Sequence, residues 1–201
     1  MRDELPILSP KQIEIADAAL KIIGERGIAA LTTASLALEL GVSSGAPFRH
    51  FASRDEILAA AAQRVADMVD DTYPKATLPP LDRLQALFVA RVSTVGKKAG
   101  VARFIFSDQF ALALPPEAVE RMLGLVTGTR AFVLEALKEG MAQGEIRSDL
   151  SPKELLPIVM GSLQHLVFLS AQPPGLGKAP KATEVFNSLA HLLAPVPARS
   201  R

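Results

Sequence analysis

The side chains best suited to chemistry lie close together, between residues 41 and 54. Gly41-Val42-Ser43-Ser44-Gly45 has the G-x-S-x-G spacing, which in serine hydrolases places a nucleophilic serine on a sharp turn after a strand. Residues 34–40 instead have a helix composition without alternating β-branched residues. Because the nucleophile needs a preceding strand, we do not predict a hydrolase.

The same residues fit a turn between two short helices. Gly41 follows a stretch of helical periodicity and can adopt the left-handed conformation that ends a helix. Ser43 offers a hydroxyl to cap the next helix, predicted over residues 44–51. This layout is typical of a helix-turn-helix, whose second helix lies in the major groove of DNA. The alternative is a solvated loop between two core helices.

The second of these helices begins with small residues, which are followed by longer polar side chains. A small amino-terminal turn can approach a groove closely, which leaves Arg49 and His50 free to reach phosphates or base edges. Phe48 and Phe51 lie three residues apart, on one side of the predicted helix. We therefore expect this segment to bind DNA.

The flanking residues extend the pattern. Apolar residues between 13 and 23 precede Gly24-Glu25-Arg26-Gly27 and Leu31-Thr32-Thr33, and Phe51-Ala52-Ser53-Arg54-Asp55-Glu56-Ile57-Leu58 follows. In this order they resemble the TetR family of one-component transcriptional regulators, over roughly the first third of the chain.

Two residues depart from the usual family pattern. Phe48 stands where Tyr is common, which removes a hydroxyl that would donate to a phosphate, and Pro47 stands where Leu or Ile is usual. Pro is tolerated in the first turn of a helix. The predicted DNA-contacting residues are Thr32, Thr33, Ser43, Ser44, Gly45, Ala46, Pro47, Phe48, Arg49, His50 and Arg54.

Composition and charge narrow the class of protein. The 201 residues, 49% of them hydrophobic, suffice for a large core. Because cysteine is absent and no histidine has a second ligand at metal-binding spacing, we predict no metal site and no cofactor. Neither a signal peptide nor an apolar run of membrane-spanning length is found, so we expect a cytoplasmic, nucleoid-associated protein without a membrane partner.

Net charge gives little support for nucleic-acid binding. Residues 1–58 contain six basic and eight acidic side chains, a formal net charge of −2. Between Gly41 and Arg54 the chain has two arginines and His50 but no carboxylate. We therefore expect few ion-paired phosphate contacts, with helix amino termini and dimerisation contributing to affinity.

Periodicity and capping boxes predict an all-α chain. The resemblance implies a three-helix helix-turn-helix domain at residues 1–53 and a helical effector-binding and dimerisation domain at residues 54–201. The second domain begins with a connecting helix at 54–71, and residues 194–201 are expected to be disordered. About nine helices are predicted. The first begins at residue 10 and ends near residues 24–27, and the others cover about residues 32–40, 44–51, 54–71, 81–98, 101–113, 116–143, 151–171 and 181–193.

The last two predicted helices are apolar nearly all round. Such a helix must be buried on more than one side, either inside one protomer or against a second copy. The resemblance implies a four-helix bundle across a two-fold axis, which suits a near-palindromic operator. The predicted dimer interface comprises Leu155, Val159, Leu163, Leu166, Val167, Val185, Phe186, Leu189 and Leu193.

Aromatic residues in the middle of the chain lie on helices that the family uses to enclose an effector. For each of them core packing is the alternative. Together they favour an apolar or amphipathic small molecule. The candidate ligand-binding residues are Phe88, Phe104, Phe106, Phe110, Met122, Phe132, His165 and Phe168.

These observations predict a sequence-specific transcriptional regulator that is not an enzyme: a homodimeric, ligand-responsive repressor. In the expected mechanism the effector favours a conformer in which the helix from Arg54 tilts. The spacing of the two DNA-binding domains of the dimer then no longer matches that of successive major grooves. The alternative is a helical carrier or enzyme that uses an apolar cavity of the second domain. The lack of an acid–base pair, phosphate loop or metal cluster counts against it.

Overall fold

The computed structural model describes residues 7–106, 112–172 and 179–196. Eight α-helices lie wholly within these residues, which contain no strand. The predicted all-α class is confirmed. The helices are α1 Pro10–Arg26, α2 Thr33–Leu40, α3 Arg54–Asp70, α4 Pro80–Arg91, α5 Ala99–Phe106, α6 Pro116–Ala142, α7 Pro152–Ser170 and α8 Ala182–Leu193. Single turns of 3₁₀-helix cover Ile28–Ala30 and Pro47–Arg49, and a π-helical turn covers Val92–Gly96.

The chain forms two compact units. The first contains residues 1–68 and 98–123, and the second contains residues 69–97 and 124–201. The division at residue 53 stays a prediction of where the DNA-binding domain ends. Of the predicted disordered tail, residues 197–201 lie outside the described residues.

Helix α1 is the centre of the first unit. It begins at a capping box in which the Ser9 hydroxyl accepts from the Gln12 N–H at 3.3 Å, while the Gln12 side chain accepts from the Ser9 N–H at 3.0 Å. Ile15, Ala19 and Ile22 recur at helical spacing and are buried. This apolar side lets α1 pack against both α2 and α5.

The crossing of α1 and α5 depends on a glycine. A Cβ atom on Gly100 would lie 1.9 Å from the carbonyl oxygen of Leu20 and 2.7 Å from its carbonyl carbon. Only a residue without a side chain can bring the two backbones this close.

In the second unit α4 packs against α8. The rings of Phe88 and Phe186 meet edge to face with centroids 5.2 Å apart, and the Gln85 amide donates to the Asn187 side-chain oxygen at 3.3 Å. The π-helical turn after α4 packs against α7, which opens at a capping box between Ser151 and Glu154.

Candidate nucleic-acid interface and effector domain

The first half of the helix-turn-helix forms as predicted. The Thr32 hydroxyl accepts from the Ser35 N–H at 3.1 Å, and the Ser35 hydroxyl accepts from the Thr32 N–H at 2.9 Å, which caps α2. Gly41 ends α2 in the left-handed conformation, with φ 65° and ψ 33°. The turn is closed by the Val42 N–H, which donates to the Ala37 carbonyl at 3.0 Å.

The segment after the turn differs from the prediction. Within residues 44–51, predicted as an α-helix, the structure has only the 3₁₀ turn Pro47–Arg49, entered from Ala46, whose N–H donates to the Ser43 carbonyl at 2.9 Å. Because Pro47 has no N–H, it cannot donate the i to i−4 bond to Ser43 that an α-helix requires. The predicted helix and the Ser43 side-chain cap are therefore wrong, since this turn has no side-chain cap.

Residues 43–51, which we call the recognition segment, have a buried base and an exposed outer side. Pro47 and Phe51 are buried, whereas Phe48, Arg49 and His50 are exposed. Ser43, Ser44 and Gly45 are also exposed, and Ala46 is half-buried. The Gln12 amide of α1 donates to the His50 carbonyl at 3.2 Å, which fixes the end of the segment.

Arg54 makes contacts that the sequence did not suggest. Its Nε donates to the Leu31 carbonyl at 3.1 Å, and its Nη2 donates to the Ile28 carbonyl at 3.1 Å. These bonds connect the first residue of α3 to the chain just before α2. Thr32 and Thr33, also predicted to contact DNA, are exposed at the start of α2.

The residues predicted to form the dimer interface face the interior of a single protomer. Leu155, Val159, Leu163, Leu166, Val167, Phe186, Leu189 and Leu193 are buried, and Val185 is half-buried. The exposed side of α7 carries Ile158 and Phe168, which are 50% and 49% exposed, together with Gly161, Gln164 and His165. The hydrophobic periodicity could not show which side of α7 faces the interior and which is exposed, because both sides carry large apolar residues.

In the second unit, the candidate effector-binding residues fall into separate aromatic pairs. Phe88 packs on Phe186, Phe132 lies 5.2 Å from Tyr73, and His165 stacks on Phe168 at 6.4 Å on the exposed side of α7. Phe88 is fully buried, which favours core packing for this residue, and its role in effector binding stays a prediction.

The remaining candidates, Phe104, Phe106 and Met122, belong to the first unit. Phe104 is buried, Met122 is half-buried and Phe106 is 39% exposed. The predicted candidate Phe110 lies outside the described residues.

Arg91 is a buried cation that the sequence reading missed. It is 8% exposed, and its guanidinium lies 5.4 Å from the centre of the Tyr73 ring. Burial lowers the pKa of Arg91, and the neighbouring Tyr73 and Asp70 oppose that shift. Arg91 follows Leu84, Leu87 and Phe88 at the spacing of the buried side of α4, and this position among apolar residues was the signal.

An open cleft of about 310 Å³ lies in the first unit beside α1 and α5. Asp17, Lys21 and Lys98 are among the residues that line it, so its walls carry charges of both signs. In the described parts of the chain, no group of three or more potential ligands could hold a metal ion. The helices described here include none that is long and apolar enough to cross a membrane.

Comparisons with known proteins agree with this geometry. Residues 15–61 match the family described as bacterial regulatory proteins, tetR family. The HTH-type transcriptional repressor KstR2 of Mycobacterium tuberculosis is 26% identical over 140 residues, which cover 68% of this chain and 70% of that protein.

Solved structures share the fold. AibR in complex with isovaleryl coenzyme A and operator DNA has a TM-score of 0.73 at 15% identity, covering 91% of this chain and 97% of AibR. FadR of Bacillus subtilis in complex with stearoyl-CoA has a TM-score of 0.63 at 20% identity, covering 90% of this chain and 97% of FadR. Residues 15–61, which contain the capped, glycine-terminated α2 and the recognition segment, are therefore a DNA-binding segment of the tetR family of bacterial regulatory proteins, and the chain as a whole shares the fold of these solved structures.

Proposed function

We propose that this regulator is a ligand-responsive repressor that binds a near-palindromic operator as a homodimer, at the nucleoid in the cytoplasm. The recognition segment carries the proposal: Phe48, Arg49 and His50 are exposed above the buried Pro47 and Phe51. Exposed long side chains on a fixed backbone are what groove contacts require.

Within this interface we assign different roles to the two arginines. Arg49 reaches a guanine edge or a phosphate, because its side chain is exposed at the end of the 3₁₀ turn. Arg54 positions the interface, because two of its donors already bind the carbonyls of Leu31 and Ile28. The exposed start of α2, at Thr32 and Thr33, supplies further phosphate contacts.

For the dimer we propose the exposed side of α7 in place of the buried residues predicted from the sequence. Ile158, Gly161, His165 and Phe168 recur at helical spacing on that side. The exposure of two large apolar residues on one side of the same helix indicates a surface that a partner covers. A second copy of the same surface gives the two-fold symmetry that a near-palindromic operator needs.

The effector we propose is an apolar or amphipathic small molecule, of the acyl-coenzyme A class that AibR and FadR bind in the structures above. Binding of the effector by residues 54–201 would release DNA through α3. Because Arg54 joins the start of α3 to the Leu31 and Ile28 carbonyls, a rotation of α3 moves the chain that precedes α2.

Fluorescence anisotropy with labelled DNA from just upstream of the coding region tests the interface. We expect Arg49→Ala to weaken operator binding by about 1–3 kcal/mol while leaving helicity and Tm unchanged, because Arg49 supports no other part of the fold. Arg26→Ala is the matched control, since Arg26 is exposed on α1 outside the recognition segment. An Arg49→Ala protein with wild-type affinity would remove Arg49 from the interface, and a wild type that binds no such DNA would contradict the repressor proposal.

A further inference from the structure

Three polar side chains meet inside the second unit and are not needed for DNA binding. Arg91 is the last residue of α4, Tyr73 follows α3, and Thr129 lies within α6. We call them the Arg91 cluster. Arg91 and Thr129 are 8% and 5% exposed, and the π-helical turn Val92–Gly96 starts directly after Arg91. Turns of this kind occur frequently at functional sites.

The hydrogen bonds of the cluster can be assigned one by one. The Thr129 hydroxyl donates its only proton to the Leu125 carbonyl at 2.9 Å. The Tyr73 hydroxyl, 2.9 Å from the Thr129 oxygen, must then be the donor of that pair. Among the described residues, Nε and Nη2 of Arg91 have no hydrogen-bond partner. Two donors of a buried cation are thus unused, an arrangement that is costly unless something else binds them.

Arg83, on the same helix, is a buried arginine whose charge is paired, although its Nε also has no hydrogen-bond partner among the described residues. It is 5% exposed, and its Nη2 forms an ion pair with the Glu139 carboxylate. Arg91 takes part in none of the ion pairs found in the described part of the chain. Asp70 acts on Arg91 only through its charge, which partly opposes the lowering of the Arg91 pKa by burial.

We infer that Arg91 binds the anionic group of the effector, a carboxylate or a phosphate, with the Tyr73 ring holding the guanidinium in place. A guanidinium with free Nε and Nη2 donors matches the paired oxygens of either anion. The aromatic pair Tyr73 and Phe132 provides apolar surface beside it. Gly128 is exposed, and a Cβ there would lie 3.5 Å from the Tyr73 hydroxyl, so this side of the cluster is close to solvent.

This inference rests on the proposed effector function and specifies its chemistry. The test uses three probes with one shared tail: dodecanoate, dodecyl phosphate and the neutral dodecanol, titrated calorimetrically into the full-length protein. We expect at least one anion to bind about ten-fold or more tightly than dodecanol, since a charge-assisted hydrogen bond accounts for such a difference. Preference for the carboxylate or the phosphate distinguishes a fatty acid from a phosphate-bearing ester.

The variant Arg91→Gln should lose the preference for the anion, whereas Arg130→Gln, which alters an exposed arginine of α6, should keep it. A second readout separates ligand binding from a purely structural role. Without probe, Arg91→Met should have a Tm no lower than wild type, because it removes unpaired buried donors, whereas Arg83→Met should lower the Tm by leaving Glu139 unpaired.

Three results would overturn the assignment: wild type without anion preference, Arg91→Gln with an unchanged preference, or Arg91→Met as destabilised as Arg83→Met. Operator binding of the wild type without probe is measured in parallel. If that binding fails while the anion preference holds, the repressor proposal is wrong and the anion site stands.

Discussion

The recognition segment and the packed helices of this chain use their side chains in opposite ways. In the recognition segment Phe48, Arg49 and His50 are exposed while the backbone is fixed by a few local bonds. In the packed helices even charged groups such as Arg83 and Arg91 are buried. A macromolecular partner needs accessible donors, whereas a small ligand needs a few enclosed ones. Substitutions in the recognition segment should therefore affect DNA binding, whereas substitutions of the apolar residues inside the packed helices should affect stability.

The largest effect is expected where a charge enters the packed helices. Leu163 is 3% exposed on the inner side of α7, so Leu163→Glu should lower the free energy of unfolding by about 3–5 kcal/mol, because it buries an unpaired carboxylate. Denaturant unfolding followed by circular dichroism measures this.

The matched variant Phe168→Glu, at a half-exposed position of the same helix, should keep its helicity but sediment as a monomer. A dimeric Phe168→Glu protein would show that this side of α7 is not the interface. A Leu163→Glu protein as stable as wild type would contradict the expectation that the packed helices, unlike the recognition segment, determine stability.

A smaller loss of stability is expected at the crossing of α1 and α5. Gly100→Ala should destabilise the protein by about 1–3 kcal/mol, because the new methyl group meets the Leu20 backbone rather than a movable side chain. Gly124→Ala is the control: a Cβ there meets no atom within 4 Å, so this exposed helical position should gain about 0.5–1 kcal/mol. In thermal unfolding, the Tm of Gly100→Ala should fall below that of wild type and the Tm of Gly124→Ala should rise above it. A shift of both in one direction would contradict the crossing geometry.

The smallest loss is expected at the cap of α2. Thr32→Ala removes the hydroxyl that accepts from the Ser35 N–H and should cost about 1 kcal/mol of stability. Thr32→Ser keeps the cap and serves as the control. If the two variants unfold at the same denaturant concentration, the capping bond contributes nothing measurable and α2 is held by packing alone.

The sequence predictions that the structure confirms depend on residues close together in the chain. The capping boxes at Ser9 and Ser151 and the left-handed Gly41 involve partners within five residues, so their geometry follows from neighbouring residue types. The α-helix predicted for the recognition segment is wrong for a local reason as well. The missing N–H of Pro47 outweighs the tendency of its neighbours to continue a helix.

The rest of the site depends on contacts between residues far apart in the chain. Arg54 reaches carbonyls 23 and 26 residues away, and the Tyr73 hydroxyl reaches Thr129 across 56 residues. Such pairings follow from how helices pack, which residue types and periodicity do not specify. For the same reason, periodicity alone could not tell which side of α7 faces the interior of the protomer. The dimer interface stays a prediction.

The buried ring of Pro47 beneath Phe48, Arg49 and His50 has a consequence for how this regulator can diversify. The three exposed residues contribute little to the core, and surface substitutions typically change stability by no more than about 0.5 kcal/mol. New side chains can therefore be tried at positions 48–50 without unfolding the domain. Operator preference can therefore change during evolution, because the fold tolerates substitutions at the positions that contact DNA.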